Sequence, residues 1–254
     1  MRQLQALIFD VDGTLADTEQ DGHRVAFNQA FVAAGLDWNW SVEQYGELLK
    51  VTGGKERIRF YLQKYLPDFQ PDLPMGVSEQ DWIAGLHKSK THYYTSLMQA
   101  GEIRLRPGVR RLLAEARAAG LRLAIATTTT PANVTALLKA VLTADSLDWF
   151  EVIAAGDIVP AKKPAPDIYL YALEKMQLDP ADCLAFEDSE AGLRSAQQAN
   201  LTTVITLNDY TRAQDFTGAA LVLDHLGEPD LPFEVIQGKT QASYFDLDLA
   251  AKLL

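Results

Sequence analysis

The sequence predicts an α/β fold: a Rossmann-like, mostly parallel sheet with helices on both faces, interrupted by an all-helical insert. Three observations carry this. An apolar strand lies almost at the amino terminus, residues 17 to about 100 contain no convincing strand, and regular strand and helix alternation begins at Arg106. The expected division is an α/β part over 1–16 and 101–254 and a helical domain over 17–100.

The first strand is Ala6–Phe9. Within the insert, Val25, Ala26, Ala30, Phe31 and Ala34 form a helical stripe that stops at Gly35, and further helices are predicted over about 42–50, 54–66 and 78–100. The proline-rich run from Leu66 to Pro74 separates the last two as a loop. Pro107-Gly108 then opens a helix that runs to Gly120. Strands at Leu121–Ala126, Phe150–Ala155, Cys183–Phe186 and Thr202–Thr206 alternate with helices from Pro131, over Ala165–Met176 and over Ala191–Ala199. Ala220–Leu223 makes a last short strand, and the final 20 residues show no clear pattern.

A chain of 254 residues with 48% apolar content can bury a sizeable core. Its formal net charge of −11 argues against a nucleic acid or an anionic membrane as partner. There is no 18-residue apolar stretch and no signal-like start, so the expectation is a soluble, monomeric, cytoplasmic protein, or a stromal one if a plastid transit peptide has been removed. The single cysteine, Cys183, sits in an apolar run and reads as a buried, inert thiol. The negative balance also means that an anionic ligand needs a metal or a few placed cations. Lys55, Arg57 and Arg59 form one such group, and Lys162-Lys163 another.

The first strand ends in Asp10 and Asp12, which at spacing i, i+2 share a strand face. Gly13 and Thr14 follow, giving a turn whose backbone N–H groups and hydroxyl suit an anion such as phosphate. Taken alone, the pair fits a polar turn equally well. Two other apolar runs end in the same manner, one in Thr127, Thr128 and Thr129 and one in Glu187 and Asp188, while Lys163 precedes a helix after the strand at 150–155. In an open parallel sheet these ends converge on one crevice. Clustered carboxylates repel unless a cation neutralises them. Oxygen ligands without His or Cys favour Mg²⁺, with Asp10 and Asp188 as its carboxylate ligands. A threonine hydroxyl and a lysine ammonium complete what a transferring phosphoryl group needs.

This ordered set, D-x-D-G-T, a Thr after an apolar strand, Lys before Pro, and Glu-Asp after another strand, resembles the four motifs of the haloacid dehalogenase superfamily. Asp at both positions of the first motif is similar to the phosphatase and phosphomutase branches; the dehalogenases lack the second acid. The resemblance implies that Asp10 is the nucleophile and that Asp12 moves protons while its backbone carbonyl binds Mg²⁺. It implies that Thr127, with the Thr128 amide, holds phosphoryl oxygens and that Lys163 neutralises nucleophile and phosphate. Asp188 would ligate the metal, and Glu187 would ligate it through water or orient that ligand.

The helical insert resembles a type-1 cap, the part that reads the leaving group. Thr52-Gly53-Gly54-Lys55-Glu56-Arg57 opens a helix there, and reads either as an anion grip or as a helix start with solvated charges. Together with Asp-Gly-Thr-Leu-Ala-Asp-Thr-Glu19, His23-Arg24-Val25-Ala26-Phe27-Asn28, Ala-Thr-Thr-Thr at 126–129 and Lys-Lys-Pro-Ala-Pro-Asp-Ile-Tyr at 162–169, it is similar to the CbbY group of the Calvin cycle. Members of that group remove the C1 phosphate of xylulose 1,5-bisphosphate, a Rubisco inhibitor, giving xylulose 5-phosphate. The resemblance implies a small phosphorylated sugar as substrate, with Lys55 and Arg57 on the distal phosphate and Glu19, His23 and Tyr45 on hydroxyls or phosphate. Trp38 and Trp40 read as packing residues between cap helices. A β-phosphoglucomutase-type enzyme shares the same core motifs, and phosphatases for phosphoglycolate or other sugar phosphates remain alternatives.

Overall fold

The computed structural model describes every residue except Met1, Arg2, Asp72, Pro74 and Glu102, and every side chain of the rest except that of Gln20. The end of the proline-rich loop, at Asp72 and Pro74, therefore lies outside the described residues. The chain forms two compact units, Met1–Asp17 with Arg104–Leu254, and Thr18–Ile103. Their junctions fall one residue later than expected at the first crossing and three later at the second.

The helical unit contains α1 (Val25–Ala33), α2 (Val42–Leu48), α3 (Gly54–Tyr65) and α4 (Glu79–Gln99). Ser41 caps α2 by accepting from the Gln44 N–H, and Ser78 caps α4 in a reciprocal capping box with Asp81. A single π-helical stretch, Glu19–Arg24, leads into α1. Such a widened turn shifts the phase of the helix beyond it, and the face that α1 buries is Ala26, Phe27, Ala30 and Phe31. Val25 is only half-buried and Ala34, at the frayed end, is exposed, so the expected stripe is corrected at both ends. The core is aromatic: Trp40 lies between Phe27, Phe31 and Tyr61 with ring centroids 4.7, 4.8 and 5.3 Å away, and Trp38 meets Phe31, Tyr61 and Phe69. At roughly 1.5–3 kcal/mol per large buried side chain, this cluster holds the unit together. Both tryptophans are packing residues, as expected.

The α/β unit is a seven-stranded sheet ordered β3-β2-β1-β4-β5-β6-β7. Its strands are β1 (Ala6–Phe9), β2 (Arg122–Thr127), β3 (Val152–Ala155), β4 (Cys183–Glu187), β5 (Thr202–Thr206), β6 (Leu221–Leu223) and β7 (Val235–Gln237), parallel except for β7. The helices α5 (Val109–Ala118), α6 (Pro131–Val141), α7 (Asp167–Met176), α8 (Glu190–Gln198) and α9 (Leu247–Lys252) complete it. The central strands β1 and β4 are buried along their whole length and apolar up to Glu187, the last residue of β4, as strands covered on both faces must be. Phe9 of β1 sits opposite Ile125 of β2 and Phe186 of β4, and the Phe9 and Phe186 rings stack at 4.6 Å.

Several boundaries differ from expectation. Helix α7 starts at Asp167 rather than Ala165 because Pro164 and Pro166 cannot supply N–H groups to a helix interior. Thr127 and Glu187, expected just beyond their strands, are the last residues of β2 and β4. The patternless final 20 residues hold β7 and α9, with Phe245, Leu249 and Ala250 buried. Cys183 is buried, and burial pushes its thiol up to about 12, which keeps it protonated and unreactive. Among the described residues no helix is long and apolar enough to cross a membrane.

Candidate active site

β1 lies between β2 and β4, where the chain's crossovers diverge to either side, and this is where open α/β sheets place their ligands. Asp10 follows β1 directly, its N–H donating to the Phe186 carbonyl at 3.0 Å, so the backbone that carries it is an extension of the sheet. β2 brings Thr127 to the same edge and β4 brings Glu187 and Asp188. Asp10, Lys163, Glu187 and Asp188 are all buried.

Lys163 joins two of these acids. Its Nζ donates to Asp10 Oδ1 at 2.7 Å and to Glu187 Oε1 at 2.5 Å. Burial opposes the ammonium charge, but the Asp10 and Glu187 carboxylates outweigh it and hold Lys163 above its ordinary pKa. Asp10 is pushed up to about 7, first by burial and then by Glu187 and Asp12, against the opposing pull of Lys163. One buried ammonium thus serves a cluster of three acids, Asp10, Glu187 and Asp188, whose carboxylate oxygens lie within 4.8 Å of one another. Glu187 Oε2 is buried and has no hydrogen-bonding partner among the described residues. This donor set fits a hard divalent cation: it is all oxygen, over-rich in negative charge, and too buried for water to screen.

Two glycines allow the acids to pack so closely. Gly13 has φ +84°, and a Cβ there would run into the Asp188 carboxylate and lie 2.6 Å from Asn208 Nδ2. At Gly192, in the first turn of α8, a Cβ would overlap the Glu187 carboxylate. Gly192→Ala is therefore expected to displace Glu187 and, through it, Lys163. Turnover at this centre should fall at least about tenfold, because ångström shifts in a reacting site cost that much or more. Native activity from Gly192→Ala would show that Glu187 can move without consequence.

The turn after Asp10 departs from expectation. β1 stops at Phe9, so Asp12 lies in the turn rather than on a continuing strand face, held by an isolated bridge to Ala16. The N–H groups are not available to an anion: Gly13 donates to the Ala16 carbonyl at 2.8 Å and Thr14 to the Val11 carbonyl at 3.3 Å. Thr127 is buried and its Oγ1 accepts from the Thr129 N–H at 3.3 Å, while Thr128 is half-buried beside it. Lys162 points away from this centre to Asp157, 3.2 Å distant.

Two residues escaped sequence reasoning. Tyr169, on α7, donates its hydroxyl to Glu187 Oε1 at 2.5 Å, the oxygen that Lys163 also uses. Asn208, just after β5, donates its side-chain amide to Asp188 Oδ2 at 2.6 Å. The six-residue interval from Lys163 to Tyr169 carried a faint signal for the first; nothing marked the second.

In the helical unit the expected binding residues form two local networks. Arg57 donates to the Tyr45 hydroxyl at 2.7 Å, and Tyr45 in turn donates to Glu19 Oε2 at 2.6 Å, with Arg57 and Glu19 3.9 Å apart. His23 is buried, stacked on Tyr94 at 4.1 Å, with its Nδ1 2.7 Å from Lys90 Nζ. In the expected basic group of Lys55, Arg57 and Arg59, Lys55 and Arg59 lie one turn apart on α3 and are half-buried, whereas Arg57 is set apart from both. Residues two apart on a helix point about 200° apart, so Arg57 is buried against Tyr45 while Lys55 is half-buried elsewhere on α3. Thr52 is half-buried in the preceding loop, Gly53 stands at the start of α3 with φ +98°, and Gly54 packs against His87. The two glycines thus have a steric reason to be there.

A doubly wound sheet with a lysine-clamped, buried aspartate at its switch point and a cation-ready cluster of acids beside it suits an enzyme that handles phosphoryl groups. Residues 4–200 match the haloacid dehalogenase-like hydrolases, and the chain belongs to that family. It is 54% identical to the CbbY protein of Rhodobacter capsulatus over 217 residues, 85% of this chain and 91% of that protein. Two crystal structures of CbbY from Rhodobacter sphaeroides, one in complex with phosphate and one of a D10N mutant in complex with xylulose 1,5-bisphosphate, superpose with a TM-score of 0.79. Each is 47% identical and spans 88% of this chain and 95% of its own. A β-phosphoglucomutase from Clostridium difficile, 23% identical over 88% of this chain and 92% of its own with a TM-score of 0.68, shares the fold.

Proposed function

We propose that this chain is a Mg²⁺-dependent phosphatase that hydrolyses xylulose 1,5-bisphosphate to xylulose 5-phosphate and phosphate, and so relieves Rubisco of an inhibitor. The observation that carries the chemistry is the Asp10 carboxylate held 2.7 Å from Lys163 with Asp188 alongside. The likeness to a CbbY protein that binds this bisphosphate supports the substrate.

In the first half-reaction an Asp10 carboxylate oxygen attacks phosphorus, the bond from phosphorus to the C1 oxygen breaks, and Asp12 gives its proton to the leaving alkoxide. In the second, water attacks the phosphorus of the aspartyl-phosphate, Asp12 takes its proton, and the bond to Asp10 breaks. Lys163 offsets negative charge on Asp10 and the phosphoryl oxygens throughout, and Thr127 with the Thr128 amide orients those oxygens. Asp10, Asp188 and the Asp12 carbonyl would hold Mg²⁺, with Glu187 adjoining; when bound, the ion supplies Lewis-acid neutralisation of the phosphoryl charge.

Specificity falls to the helical unit. Lys55 takes the distal phosphate, the Glu19–Tyr45–Arg57 network presents polar groups to the sugar, and His23 adds a further contact. The test is to supply xylulose 1,5-bisphosphate and β-glucose 1-phosphate separately, with Mg²⁺ and with EDTA. Rapid, EDTA-sensitive release of phosphate from the first is expected. Selective isomerisation of the second would replace this reading with a phosphomutase. Lys55→Ala should raise KM for the bisphosphate about tenfold, the worth of one charge-assisted contact, and leave a sugar monophosphate nearly unaffected. Equal losses on both would remove Lys55 from the distal site.

A further inference from the structure

We propose that Tyr169 is a positioning residue for phosphoryl transfer: its hydroxyl fixes Glu187 so that Lys163 stays aimed at Asp10. The inference rests on the phosphatase reading above and adds a residue to it.

Three features of the geometry converge on this role. The Tyr169 hydroxyl and the Lys163 ammonium donate to the same oxygen of Glu187, each at 2.5 Å. The Tyr169 ring also lies beneath the ammonium, with Nζ 5.2 Å from its centroid. The other Glu187 oxygen, Oε2, finds no hydrogen-bonding partner among the described residues and faces the bare Cα side of Gly192. The carboxylate is therefore oriented from one side only, by a tyrosine that donates to it and a lysine that it must itself orient. Remove the hydroxyl and the rotation of Glu187 is set by Lys163 alone, which is shared with Asp10 at 2.7 Å.

Tyr169 is suited to such a task. It is fully buried on α7, six residues after Lys163, so the loop that delivers the lysine and the helix that delivers the tyrosine are one continuous piece of chain. A phenol hydroxyl keeps its proton in the neutral range, so Tyr169 donates to Glu187. A phenylalanine would fill the same volume and keep the ring beneath the ammonium. Only the hydrogen bond would be lost.

The test is a double-mutant cycle between Tyr169→Phe and Glu187→Gln, read as kcat and KM on xylulose 1,5-bisphosphate and, in parallel, on p-nitrophenyl phosphate. Tyr169→Phe alone is expected to lower kcat about tenfold with KM within about twofold of native. In the Glu187→Gln background, where the oriented carboxylate is gone, the same change should cost less than about twofold. A kcat within twofold of native for Tyr169→Phe, an equal loss in both backgrounds, or a rise in KM alone would overturn the role. So would a Tyr169→Phe protein that fails to fold while the double variant folds, since the hydroxyl would then serve the fold. Poor turnover of the bisphosphate with a normal cycle on the aryl ester would sink the substrate assignment and leave Tyr169 in place; no turnover of either ester would sink both.

Discussion

Asp10→Asn is expected to release phosphate from xylulose 1,5-bisphosphate at least about 10⁴-fold more slowly than the native protein, with a melting temperature equal to it or slightly higher. An amide is a poor nucleophile toward phosphorus, and Glu187, the other acid on Lys163, spends Oε1 on Lys163 and Tyr169 and turns Oε2 toward Gly192. Stability should not suffer. Asp10 is buried, and its carboxyl is raised to about 7 first by that burial, so replacing it by a neutral isostere removes a desolvation cost. Phosphate release by malachite green and a thermal melt on the same sample separate the two effects. Turnover within tenfold of native would move the nucleophile elsewhere.

Lys163→Met reverses the pattern, damaging both fold and reaction. The buried ammonium is the countercharge to Asp10 at 2.7 Å and Glu187 at 2.5 Å, with side chains all but inaccessible. Breaking a buried pair by removing one partner costs about 3–5 kcal/mol, because the carboxylates stay behind uncompensated. For a chain of this size that lowers the melting temperature by about 10 °C. Catalysis should fall by about 10³-fold well below the melt, since charge on the transferring phosphoryl group loses its nearest fixed cation. Mg²⁺ should restore part of the stability and little of the rate. An unchanged melt in EDTA would show that the acids are compensated by some other group.

The parts of this molecule that rest on local pattern were legible in the sequence. Asp10 directly follows one buried strand and Thr127 and Glu187 end two others, and each stops an apolar run with a polar residue of defined chemistry, which a single reading of the chain exposes. The parts that escaped rest on distance in space. Asn208 reaches Asp188 across 20 residues of sequence, from a loop whose composition is ordinary. Tyr169 looks like any helix aromatic until its hydroxyl is placed on Glu187. β7 has three residues, mostly exposed, and α9 has six, so neither is long enough for a periodicity to register. The partners of Arg57 were hidden in the same way: the helix turns it onto Tyr45, 12 positions away in sequence, and Glu19.

Lys163, Glu187, Tyr169 and Asn208, the partners named for Asp10 and for the acids beside it, all belong to the α/β unit, while Glu19, Tyr45 and Arg57 bond to one another inside the helical unit. The lysine-clamped acids and the Glu19–Tyr45–Arg57 network are therefore written in separate stretches of the chain. An exchange of the helical insert for a relative's would remove none of the named partners of Asp10, Glu187 and Asp188.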